Sequence, residues 1–346
     1  NGPVVVLDNT EHVQWVQGWQ KNLDSLSYRN SEFNPYVDAF WKWFPEAYKH
    51  LRVYRITGGE PLLNKETFRS IDWLIENPNP NLEFSINTNL GAPEKLWTQF
   101  VKKIKILVTE GKVKSFTLFT SIDGWGEKAE YIRTGLNHEI FMQRYEELLE
   151  IGNIRITIMC TFNVLSVSSV KELLEWVYSL KKKYNTNKVF ADLEQRCGFN
   201  LNSGEGDSYS ERNRKNPNHH SVVGIDIPYL RHPECLDIKN ISENLLREHL
   251  IPALNYMAEH TAQPTWNIHQ GFEEYELEKF KRVCVDLLCS FIGAQKDQDK
   301  NIIINRAKFF DYVNEMDRRH GKNFLKIFPE MQEFYDLCKK SKDQIV

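Results

Sequence analysis

The feature that most restricts this chain is a rhythm that begins at residue 51: short apolar runs alternate with segments of helical spacing. Strands are expected over Leu51 to Thr57, Leu82 to Asn87, Ser115 to Ser121, Ile154 to Thr161 and Lys188 to Leu193. Helices are expected over Lys65 to Glu76, from Pro93 onward, over Glu139 to Glu150 and over Val170 to Tyr184. The segment after Pro93 shows why: Leu96, Phe100, Ile104, Leu107 and Val108 recur at three- and four-residue steps, which puts them on one face of a helix. Asn77-Pro78-Asn79-Pro80 reads as a turn. Strand and helix units repeated in this way imply a parallel sheet with right-handed crossovers.

In such folds chemistry gathers at the carboxyl ends of the strands, so the strand ends form one set. They are Thr57-Gly58-Gly59-Glu60-Pro61, Ser85-Ile86-Asn87-Thr88-Asn89, Thr120-Ser121-Ile122-Asp123-Gly124 and Cys160-Thr161-Phe162-Asn163. Each taken alone is ordinary turn chemistry. Four in succession favour a shared polar site. Two adjacent glycines let a backbone approach a ligand closely, and a carboxylate at that turn is an acceptor for a cationic group.

The flanks differ. Trp15, Trp19, Leu23 and Leu26 form a stripe of core type in an otherwise helical start, and Phe40-Trp41-Lys42-Trp43-Phe44 before Pro45 reads as packing. Residues 198 to 224 are polar and turn-rich, a loop long enough to be functional or mobile; His219 and His220 in it read as solvated. Beyond Pro228 the apolar spacing is helical, through Leu245, Leu246, Leu250, Leu254 and Met257 and again through Phe280, Val283, Leu287, Leu288 and Phe291. Phe324 to Cys338 reads as one helix covering the body. Asp297-Gln298-Asp299-Lys300-Asn301 fails as a calcium loop, because Ile302 and Lys308 stand where glycine and glutamate are needed.

Composition narrows the function. Among 346 residues, 44 lysines and arginines face 47 acidic residues, a formal charge of -3, so no global field draws the chain to nucleic acid or anionic lipid. No apolar run is long enough to span a membrane and no signal-peptide pattern opens the chain, so a cytoplasmic protein is expected. The six cysteines, Cys160, Cys197, Cys235, Cys284, Cys289 and Cys338, lack CxxC pairs and suit reduced thiols. No P-loop, HExxH or GxSxG motif occurs.

The ordered strand ends resemble the radical S-adenosylmethionine enzymes, most closely their twitch-domain proteins, over roughly residues 50 to 240. Gly58-Gly59-Glu60-Pro61 resembles the family's GGEP motif, whose carbonyls and glutamate hold the methionyl ammonium. Asn87-Thr88-Asn89 is similar to the TN segment of the next strand, and Ser121-Ile122-Asp123-Gly124 to the SxDG segment, with Ser121 facing the cofactor. Arg133, in Glu130-Tyr131-Ile132-Arg133, matches the arginine that pairs the cofactor carboxylate, and Asn163 matches a polar position on the fifth strand. The resemblance implies an incomplete parallel (β/α)6-type barrel over residues 1–227 and a mainly helical region over 228–346. It also implies S-adenosylmethionine and a [4Fe-4S] cluster as cofactors. The complete protein would generate a 5′-deoxyadenosyl radical that abstracts hydrogen from a peptide or small metabolite, with flavodoxin or ferredoxin as electron donor.

One departure is large. The family's CxxxCxxC cluster loop is missing from the chain. Asn1-Gly2-Pro3 resembles the residues that follow the third cysteine, so the cluster ligands are expected upstream of Asn1, the chain being a fragment. An auxiliary cluster on Cys197, Cys235, Cys284 or Cys289 is a minority reading. The competing functional reading is a cluster-free binding protein that keeps the barrel; a sugar or nucleotide enzyme would need a carboxylate pair or phosphate loop not found here.

Overall fold

The structure is a computed structural model that describes residues 34–185, 222–261, 270–292 and 299–345. The stripe at Trp15 to Leu26, the strand expected at 188–193, Cys197, the histidine pair at 219–220 and Asp297-Gln298 lie outside the described residues. The chain divides into two compact units, Asn1–Arg52 and Val53–Val346.

The first unit contributes helix α1, Pro35–Tyr48. Asn34 caps it by accepting from the Tyr36 amide at 2.9 Å, and Pro35 takes the first position, where no N–H is needed. The aromatic cluster lies on this helix, which continues through Pro45 instead of ending at it. Phe40 and Phe44 stack with ring centroids 4.9 Å apart.

The second unit is built on five parallel strands: β1 (Val53–Ile56), β2 (Asn79–Thr88), β3 (Val113–Ser121), β4 (Ile154–Met159) and β5 (Val223–Asp226). They lie side by side in chain order. The crossovers carry α2 (Lys65–Glu76), α3 (Glu94–Thr109), α4 (Gly126–Ile132), α5 (His138–Ile151) and α6 (Val170–Tyr184). Right-handed crossovers that always step the same way put their helices on one face. The side-chain alternation of the strands agrees with such a division.

One face is apolar. Tyr54, Phe84, Phe116 and Ile154 occupy one register, and Ile56, Ile86, Leu118, Ile156 and Val223 the next. The rings of Tyr54 and Phe84 are 5.6 Å apart and those of Phe84 and Phe116 5.5 Å, a ladder across three strands. The opposite face is polar: Arg55, Ser85, Thr117 and Arg155 share a register, followed by Asn87, Phe119, Thr157 and Gly224. A parallel sheet buried on both faces reads as unbroken apolar runs; here the alternate positions are mostly polar, with Phe119 the large apolar side chain among them.

Past β5, Glu243–Leu245 runs through a π turn, Leu246–Leu250, into Ile251–Glu259, together forming α7. Then come α8 (Glu274–Ile292), α9 (Lys300–His320), α10 (Phe324–Ile327) and α11 (Gln332–Ile345). Asp299 caps α9, and Gly321 ends it in the left-handed region at φ 61°. Arg306 of α9 is buried at 1% exposure because its guanidinium donates to the carbonyls of Asn240 and Ile241 at 2.9 and 3.2 Å. Among the described residues no helix is long and apolar enough to cross a membrane.

Three sequence expectations are corrected. The Asn77 to Pro80 turn gives two residues to β2, since the Asn79 amide bonds Lys112 O at 2.9 Å and the register shifts before Glu83. Val223 and Gly224, assigned to the long loop, belong to β5. The closing helix is interrupted: Phe328 and Pro329 break 324–338 into α10, a 3-10 turn Pro329–Met331 and α11.

Candidate functional site

The carboxyl ends of β1 and β2 are joined by one carboxylate. After Ile56 the chain turns through Gly58 at φ 92° and Gly59 at φ 52°, both exposed. A methyl group at either would meet nothing within 4 Å, so backbone conformation and not crowding selects glycine. Glu60 then caps the 3-10 turn Pro61–Leu63 through the Leu62 amide, 3.1 Å from Oε1. The same oxygen accepts from Thr88 Oγ1 at 2.7 Å, and Oε2 accepts from the Asn89 amide at 2.8 Å. Asn89 Oδ1 in turn accepts from the Gly91 amide at 2.7 Å. The Glu60 carboxylate is thus committed to shaping two neighbouring strand ends. Pro61 is buried beneath it.

Beside this turn, on the polar face, Arg55 donates through Nε and Nη2 to Asn87 Oδ1 at 3.1 and 3.0 Å. Its guanidinium lies 4.2 Å from the Phe119 ring centroid, a cation–π contact that spans β1 to β3.

A second cluster forms at the ends of β3 and β4. Asp123, 5% exposed, accepts from Arg133 Nε on Oδ2 at 2.7 Å and from the Thr161 amide on Oδ1 at 2.7 Å. Burial holds its carboxyl above the usual carboxylate range, while Arg133 and the Thr161 amide pull it back. Arg133 is gripped through Nε, and the two terminal nitrogens of its guanidinium fork make no hydrogen bond or ion pair among the described residues. Asn163 is joined to the same backbone: its Nδ2 donates to Thr161 O at 2.9 Å and its Oδ1 accepts from Leu165 N at 2.9 Å, capping the 3-10 segment Val164–Ser169. Gly124 permits a close approach, since a Cβ there would stand 2.8 Å from Ser169 Oγ, which accepts from the Trp125 amide at 3.0 Å. Ser121 is half-buried at the end of β3, opposite Met159.

The structure therefore sorts the expected residues into two groups. Gly58, Gly59, Glu60, Pro61, Asn87 and Asn89 meet at β1 and β2, and Ser121, Asp123, Arg133 and Asn163 at β3 and β4. Hydrogen bonds join Glu60 to Asn89 in the first group and Asp123 to Arg133 in the second, where Asn163 and Asp123 both bond Thr161. Arg55 and Phe119 carry no role in the sequence reading, yet two-residue periodicity places both on the polar face, Arg55 two positions before Thr57 and Phe119 two before Ser121. The described residues do not fit an iron–sulfur cluster. No three His, Cys, Asp or Glu among them come together as a metal set. Cys160, Cys235, Cys284 and Cys338 are buried and Cys289 is exposed; burial pushes the thiols of Cys235 and Cys284 up to about 12.

Comparison with family models, curated proteins and solved structures finds no match to this chain.

Proposed function

We propose that the five strands are part of an incomplete (β/α)6-type barrel that binds S-adenosylmethionine across its strand ends, as the cofactor-holding portion of a radical S-adenosylmethionine enzyme. The observation that carries this reading is Arg133: a guanidinium held through Nε against a buried aspartate, its other two nitrogens making no hydrogen bond or ion pair among the described residues and so left for a ligand's carboxylate, on the sheet end that also carries an exposed diglycine turn. The two ends of a methionyl group ask for those two things, oxygen acceptors for the ammonium and a planar fork for the carboxylate.

Under this reading the main-chain carbonyls of Gly58 and Gly59 take the ammonium. Glu60, already accepting three donors, fixes the turn's shape. Arg133 takes the carboxylate, Asp123 positions Arg133, and Ser121 contacts the polar body of the cofactor. Asn163 acts through Thr161, holding the strand end to which Asp123 is bonded. The cofactor supplies the sulfonium whose reductive cleavage yields the radical; the protein supplies orientation. The chemistry assigned to the described residues is binding and positioning.

Isothermal titration with S-adenosylmethionine tests the reading. Micromolar binding that weakens about tenfold or more in Arg133→Ala, from loss of a charge-assisted hydrogen bond of roughly 1.5–3 kcal/mol, supports it. No binding, or equal binding by the variant, refutes the site. The lack of a cluster set among the described residues keeps a second reading in view, a binding protein without radical chemistry. Anaerobic reduction of the cluster-reconstituted full-length protein with the cofactor bound separates them, because only the enzyme releases methionine and 5′-deoxyadenosine.

A further inference from the structure

On the polar face of the sheet, over β3, β4 and β5, a cavity of about 250 Å³ is lined by Thr117, Phe119, Thr157, Gly224, Glu273 and Tyr275 among others. Its floor is the sheet and its wall is the first turn of α8. That turn is bonded into the sheet by Glu276, whose Oε1 accepts from the Ile225 amide at 2.8 Å. Glu276 Oε2 accepts from the Glu273 amide at 2.8 Å and lies 3.0 Å from Lys181 Nζ, and Lys181 also donates to Val223 O at 2.9 Å. Asp226 is paired with Lys279, and Arg155 is engaged within the protein as well.

Glu273 is the exception. It stands just before α8, and its carbonyl accepts from the Glu276 and Leu277 amides at 2.9 and 3.1 Å. Its side chain lines the cavity instead of capping the helix: the residue is 9% exposed, and Oε1 is buried with no hydrogen-bond partner among the described residues. A buried carboxyl oxygen without a donor is costly. On the floor, the hydroxyls of Thr117 and Thr157 likewise make no hydrogen bond among the described residues. Gly224 keeps the space between floor and wall open, since a Cβ there would stand 3.5 Å from Thr157 Oγ1 and 3.8 Å from Glu276 Oε1.

We propose that this cavity binds a small primary ammonium ion carried on an apolar or aromatic body, its N–H groups donating to the Glu273 carboxylate and the hydroxyls of Thr117 and Thr157, its body against Phe119 and Tyr275. An ammonium has three donors and no acceptor, which complements one unfilled carboxylate and two unfilled hydroxyls. The last torsion of a glutamate side chain is broad, so the carboxyl can turn an oxygen to the incoming donor. Lys181 opposes a cation little, because Glu276 offsets its charge at 3.0 Å. A dry cavity of roughly 150 Å³ holds benzene, so this one has room for a ring with a short arm bearing the ammonium. Tyr275, 52% exposed, stands on the solvent side. The site does not rest on the strand-end reading.

Binding is linked to a proton. Burial and Glu276 raise the Glu273 pKa, while Lys181 of α6 and Arg155 of β4 lower it, and it is pushed up to about 7; Asp226 of β5 faces the same cavity with its charge offset by Lys279. An ammonium needs the ionised form of Glu273, so binding below neutrality expels its proton to solvent, and affinity falls by up to about tenfold per pH unit.

Saturation-transfer NMR of the 346-residue chain with a panel of primary amines, from ethylamine through benzylamine to phenethylamine, identifies the tightest probe. Titration then compares that amine with the alcohol of the same carbon skeleton at pH 6 and pH 8. At pH 8 the amine is expected to bind about tenfold or more tightly than the alcohol, to lose about tenfold at pH 6, and to keep its affinity when S-adenosylmethionine is added. In Glu273→Gln the preference for the amine and the pH dependence should both vanish. Binding by no amine of the panel, or equal binding of amine and alcohol, overturns the proposal. Competition by S-adenosylmethionine overturns it too, by placing the amine at the strand ends. Gly224→Ala guards against a Glu273 variant that fails to fold. Its methyl makes only ordinary contacts and takes volume from the cavity. Weakened binding by this variant supports the site, and unchanged binding counts against it.

Discussion

Glu60 Oε1 lies 2.7 Å from the hydroxyl of Thr88, so a carboxylate that leaves one strand holds the end of the next. The other oxygen takes the Asn89 amide, and the turn that carries Glu60 is closed by the Leu62 amide. Removing the side chain orphans one hydroxyl and two amides at once. Glu60→Ala is expected to lower unfolding free energy by about 2–4 kcal/mol, two or more charge-assisted bonds at roughly 1.5–3 each less partial rescue by water. Glu60→Gln, which keeps one acceptor, should cost less. Urea unfolding of both variants measures the difference; equal stabilities would mean the bridge is dispensable.

The buried Lys181–Glu276 pair predicts an asymmetry. Lys181 is 0% exposed and Glu276 3%. Lys181→Met leaves a carboxylate in the interior with its charge uncompensated and should cost roughly 3–5 kcal/mol. Lys181→Met combined with Glu276→Gln should recover part of that loss, because the amide still accepts from Ile225 N without a charge. A double-mutant cycle reads the coupling, and strict additivity would show that the two do not act as a pair.

Glu273 gives stability a particular pH dependence. Its folded-state pKa, near 7, stands above the ordinary 4.5. Between those values the native state holds a proton that the unfolded chain has lost. Stability from this group is therefore full below the ordinary value and falls as pH rises to about 7. The difference in unfolding free energy between wild type and Glu273→Gln should change across pH 4.5 to 7 and be flat above it. A difference that is constant across that range would place the carboxyl in an ordinary, solvated setting.

Gly59, at φ 52°, predicts a backbone cost separate from any ligand. Gly59→Ala should lose about 1–2 kcal/mol, the penalty of a left-handed L-residue, and Gly59→Asn less. Thermal unfolding measures both; nothing lies within 4 Å of an added Cβ, so a larger loss would mean that the methyl meets a steric clash and that the turn is not open there.

The sequence makes the regular elements legible because their periodicity is local. Lys65–Glu76 and Val170–Tyr184 are found at the limits their apolar spacing indicates, and the polar strand ends are where the β-to-helix transitions put them. What is not legible depends on contacts made at a distance. β5 is four residues, Val-Gly-Ile-Asp, at the end of a turn-rich stretch; only pairing with Ile156 to Met159 of β4 makes it a strand. Glu273 and Glu276 look like the acids that begin many helices. Nothing in helical spacing says that one of them bonds a strand amide and the other faces a cavity. Asn163 shows the reverse: a polar residue in the expected place whose amide is spent on capping and on Thr161.

The chain-order sheet also has a consequence for how the protein is made. Each described strand pairs with the described strand that precedes it, so the sheet can be laid down in order as the chain emerges from the ribosome. The last strand is different: the Ile225 amide waits 51 residues for Glu276. Until α8 has been translated, the nascent chain carries a growing sheet whose final edge is not yet fastened, and the arrival of that one glutamate both secures the edge and walls the cavity.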